Sequence, residues 1–81
     1  MRNLKLIWDF KGPDSKKTAE HHLTHLNEYG SMKDIKFIAT GTEEISKMHT
    51  IAYVAINEEK MPQVRDDLKP HRGQLWTKEI D

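Results

Sequence analysis

Along residues 4–10, LKLIWDF, every second side chain is apolar: Leu4, Leu6, Trp8 and Phe10 fall on one face, and Lys5, Ile7 and Asp9 on the other. A period of two in β-favouring residues predicts a strand that lays its apolar face on a core. Gly12 and Pro13 break the pattern, and Asp14 or Ser15 can accept hydrogen bonds from the N–H groups that open a helix. Ala19, Leu23 and Leu26 then recur at helical spacing, so a helix is expected from about Ser15 to Tyr29, with Gly30 as its left-handed stop.

Two further apolar stretches read as strands: residues 35–41, IKFIATG, and residues 49–56, HTIAYVAI, joined by the polar link TEEISK. A second helix is expected over residues 57–69, where Met61, Val64 and Leu68 are spaced by three and four. Pro62 fits only its first turn, and Pro70 ends it. Residues 73–80, GQLWTKEI, supply a fourth strand of weaker pattern. The order β-α-β-β-α-β predicts an α+β, ferredoxin-like domain over residues 1–81, with both helices on one face of a four-stranded antiparallel sheet.

That architecture leaves the other sheet face without helices. If Leu4, Leu6, Trp8 and Phe10 pack under the helices, the open face carries Ile7, Ile38 and one phase of the third strand, either Ile51 with Tyr53 or Ala52 with Val54. Strands apolar on both faces are normally buried on both, and the chain holds no third helix, so a homodimer is expected to cover the open face. In element order and size the chain resembles the dimeric α/β-barrel superfamily, in which two ferredoxin-like subunits press open sheet faces together around a cavity. That resemblance implies a small-molecule cavity between subunits, as in the superfamily's sensing modules, cofactor-free oxygenases and isomerases. It assigns no catalytic residue and does not select among those functions, and a purely structural interaction protein with a filled interface and no ligand is a further alternative.

Composition narrows the partners. The 81 residues hold no cysteine, and only 36% are hydrophobic against 32% charged, so the core is small and built from packing alone. Thirteen Lys and Arg balance thirteen Asp and Glu, which removes the basic footprint that phosphate-backbone binding needs, and nucleic acid is not an expected partner. Neither a signal peptide nor a membrane span is visible in the pattern, so the expected setting is cytoplasmic, away from membranes.

Three groups of side chains are candidates for chemistry. HHLTH, residues 21–25, places His21 and His25 about 40° apart around a helix with Glu28 nearby, so the three can converge on one ion. Two imidazoles and an exposed carboxylate make an incomplete shell, and HHLTH lacks the glutamate of the zinc-peptidase HExxH, so solvated histidines without metal are expected. His22 is expected at the core boundary with one polar edge in water. His71 and Arg72, beside the end of the second helix, form a candidate anion-binding loop. Asp9 shares the phase of Ile7, and His49 shares that of Tyr53 on the neighbouring strand. Together these three residues are the candidate cavity group, able in principle to bind a small apolar or aromatic ligand or to move a proton without any cofactor. Trp8 and Trp76 read as core or interface residues.

Overall fold

The computed structural model describes residues 2–76. Its elements are β1 (Asn3–Lys11), α1 (Ser15–Met32), β2 (Ala39–Ser46), β3 (His49–Asn57), α2 (Met61–Leu68) and β4 (Arg72–Leu75). The sheet is antiparallel throughout in the order β2-β3-β1-β4, the strand arrangement of a ferredoxin-like fold. Among the described residues no helix is long and apolar enough to cross a membrane.

The alternation in β1 does what its period requires. Leu6 and Trp8 are buried in one cluster with Ala52, Val54 and Ile56 of β3, Ala19, Leu26 and Tyr29 of α1, and Val64 of α2. Both helices therefore lie on one face. Two polar contacts fasten them there: the Trp8 indole N–H donates to the carbonyl of Leu68 at 3.1 Å, and the Tyr29 hydroxyl donates to Asp67 Oδ2 at 2.6 Å. Burial, and then the Asp67 carboxylate, push the Tyr29 phenol up to about 12. At the other end of α1, the hydroxyls of Ser15 and Thr50 meet at 3.2 Å in the interior.

Four boundaries differ from the sequence reading. Gly30 does not stop α1: it lies inside the helix, where a Cβ would come within 2.7 Å of the Phe37 ring, and the left-handed residue is Asp34 at φ 55°. Residues 35–38 are not strand. Ile35 and Phe37 instead fold against the end of α1, and β2 begins at Ala39 and takes in most of the link expected to be loop. Asn57 closes β3 rather than opening α2, which starts at Met61 with Pro62 in its first turn as expected. The fourth strand runs only over Arg72–Leu75, and the part of its expected range beyond Trp76 lies outside the described residues.

Candidate functional site

Register fixes what the open sheet face carries. Ile7 pairs with Tyr53 on one side and Arg72 on the other; Asp9 pairs with Ile51, Lys5 with Ala55 and Gln74, and Glu43 with Ile51. Since Ala52, Val54 and Ile56 pack under the helices, Ile51 and Tyr53 are the phase of β3 that faces away from them. Ile7 and Ile51 are nonetheless only 1% and 2% exposed. Each sits in register between two polar residues, Tyr53 and Arg72 for Ile7, Asp9 and Glu43 for Ile51, and is buried within the single chain. Ile38, expected on this face, precedes β2 and is half exposed.

Two side-chain groups occupy the face. At one end, Asp9 accepts from His49 Nε2 at 2.8 Å and from the Arg72 guanidinium through Nε (3.0 Å) and Nη2 (3.1 Å). The fork of Arg72, joined by the burial-resisting pull of His49, holds the Asp9 carboxyl down at about 2, despite burial acting the other way. The same two oxygens thus tie β1 to β3 and to β4. His71 completes the corner from outside: its Nδ1 accepts the Asp9 backbone N–H at 2.8 Å, where β4 is too short to supply a carbonyl.

At the other end, Tyr53 and Trp76 are nearly parallel, 25° apart in plane with centroids 6.2 Å apart. The Lys5 ammonium lies 4.5 Å from the Tyr53 centroid and 5.9 Å from that of Trp76, a cation–π arrangement on both rings. Gly41, opposite Tyr53 in β2, makes room for it, because a Cβ there would stand 2.9 Å from the phenol oxygen.

Of the candidate cavity residues, Asp9 and His49 are therefore brought together, whereas Tyr53 turns toward Lys5 and Trp76. Of the candidate anion-binding pair, Arg72 is engaged by the chain's own Asp9 and His71 by the β1 backbone. Lys5 and Trp76 were missed as partners of Tyr53; the β1-to-β4 register that joins them leaves no mark in the sequence. Two open grooves, of about 510 Å³ between the end of α1 and the start of β2 and about 300 Å³ beside Leu4, Leu6, Met61 and Pro70, include none of Asp9, His49 and Tyr53.

On α1, His21 and His25 meet with Nε2 atoms 3.1 Å apart, and Glu28 Oε1 lies 3.3 Å from Nδ1 of His25 rather than beside the two Nε2 atoms. Among the described residues no three His, Cys, Asp or Glu side chains gather in a way that could hold a metal ion. His22 is half-buried at the core boundary as expected, but its Nε2 edge is turned inward rather than to water. Its ring wedges between Trp8 and Phe10, at 5.2 and 5.3 Å, and its Nε2 is buried without a partner among the described residues. Burial, with smaller repulsion from neighbouring histidines, holds this imidazole below its ordinary value. Compared with known proteins, the chain matches no family model, no curated protein and no solved structure.

Proposed function

We propose that the protein is a small binding module whose open sheet face takes an aromatic anion, with a second copy of the chain closing over it. The observation that carries this reading is the Tyr53–Trp76 pair with Lys5 beside both rings: two near-parallel aromatic faces and a cation on a sheet surface that no helix covers. A ligand ring stacks on such faces, and its carboxylate pairs with the ammonium. Half-exposed Ile45 and Met48 near the β2–β3 turn give the rim of the sheet apolar contacts suited to a second copy.

A cofactor-free enzyme using Asp9, His49 and Tyr53 is the rival reading, and the Asp9–His49 contact favours it. It is the weaker of the two. A carboxylate held at about 2 is a poor base near neutrality, which leaves proton transfer to His49 alone, with Tyr53 turned away.

A thermal-shift titration with benzoate, phenylacetate and indole carboxylates tests the binding reading. At ten times Kd a ligand of this class should stabilise the parent by about 1.4 kcal/mol. The shift should vanish in Tyr53→Leu and shrink in Lys5→Gln. No shift in the parent, or one that persists in full in both variants, would count against the site.

A further inference from the structure

We infer that His21 and His25 form a two-imidazole site for a divalent transition ion of the copper, nickel and zinc class, with Glu28 as a positioning residue behind it. The distances go beyond what helical spacing alone implies. A metal held at about 2.0–2.1 Å by two nitrogens 3.1 Å apart would have an N–metal–N angle of roughly 98°. That lies between the angle of about 90° at neighbouring positions of a tetragonal complex and the tetrahedral angle of about 109°, so the spacing suits one ion once the two rings turn their nitrogens from each other toward it.

The contact leaves one of the two rings ready to ligate. In a contact between two Nε2 atoms one donates and the other accepts, and Glu28 beside Nδ1 of His25 favours that ring's proton on Nδ1. His25 therefore presents an Nε2 lone pair, and His21 Nε2 donates to it. Binding therefore requires that His21 carry its ring proton on Nδ1 instead of Nε2. Glu28 cannot be a third ligand from where it stands. Its role is the carboxylate partner that orients a ligating imidazole and raises its basicity.

The side chains of His25 and Glu28 are 59% and 67% exposed, so the ion has a direct entry path, and its remaining positions are open to water or to the same pair on a second copy. Two neutral imidazoles rank ions in the order copper above nickel, with zinc below copper. The site is independent of the aromatic-anion reading, since it lies on the helix and not on the open sheet face.

Calorimetric titration of the whole chain with copper(II) and nickel(II) chloride in a non-chelating buffer tests this, with far-UV circular dichroism checking that each variant is folded. The expected result is one ion per chain, or one per two chains if a second copy completes the shell, with copper tighter than nickel. His21→Gln and His25→Gln should each weaken binding at least tenfold, and Glu28→Gln by roughly tenfold. Absence of binding in the parent, or binding undiminished in both histidine variants, would overturn the site.

Discussion

His22→Leu should stabilise the protein by about 1–2 kcal/mol, because it removes a buried imidazole nitrogen that has no hydrogen-bond partner and keeps an apolar side chain between Trp8 and Phe10. An unsatisfied buried polar atom costs about 1–3 kcal/mol, and leucine is smaller than the ring it replaces, so part of that gain is lost to imperfect filling. For a chain of this length the gain is a sizeable fraction of a total stability of roughly 4–12 kcal/mol. Urea unfolding at neutral pH measures it. A fall in stability would mean that Nε2 is hydrogen-bonded in solution, and the packing of α1 on β1 described above would need revision.

Acid should weaken the fold through Asp9. The carboxyl sits at about 2 in the folded chain against 3.8 for the ordinary group, so its contribution is fully present above pH 4 and is lost as pH falls from about 4 to 2. Hydrogen-bond partners from three strands meet at this group: Arg72 from β4, His49 from β3 and Asp9 itself from β1. The full shift corresponds to about 2 kcal/mol, and because Arg72 is half exposed, screening reduces the expected effect to about 1 kcal/mol. Arg72→Gln should remove most of Asp9's share of the pH dependence in that window while leaving other carboxylates untouched. Parallel stability curves for parent and variant between pH 2 and pH 5 would show that the ion pair contributes nothing.

The strands that alternate were legible and the ones that do not were not. In β1 the period of two placed Leu6 and Trp8 under the helices and Asp9 on the open face, and the shared phase of His49 with Tyr53 put His49 within reach of Asp9. Residues 35–38 misled because Ile35 and Phe37 are apolar for a different reason: they pack as a loop against the end of α1, where Gly30 leaves room for the Phe37 ring. The residues after them form an edge strand exposed enough that TEEIS carries no pattern to read. At the site, Arg72 joins Asp9 and Trp76 joins Tyr53 only through the short β1–β4 pairing, and register between strands so far apart in the chain is set by packing of the whole sheet. Ile7, whose apolar character pointed to a cover on the open face, is already buried within the single chain between its in-register neighbours Tyr53 and Arg72.

That the open sheet face is a binding surface closed by a second copy is tested most directly by pulsed electron paramagnetic resonance on singly labelled chains. The sequence holds no cysteine, so Glu43→Cys on the open face and Lys17→Cys on the exposed side of α1 each place one nitroxide per chain. If open faces meet, the two sheets pack roughly 10 Å apart, and the Glu43 labels of the two copies must lie closer together than the Lys17 labels, which are separated by both helix layers as well. A shorter distance for Glu43 at micromolar concentration is the predicted result. Absence of any distance between copies, or a shorter distance for Lys17, would contradict it.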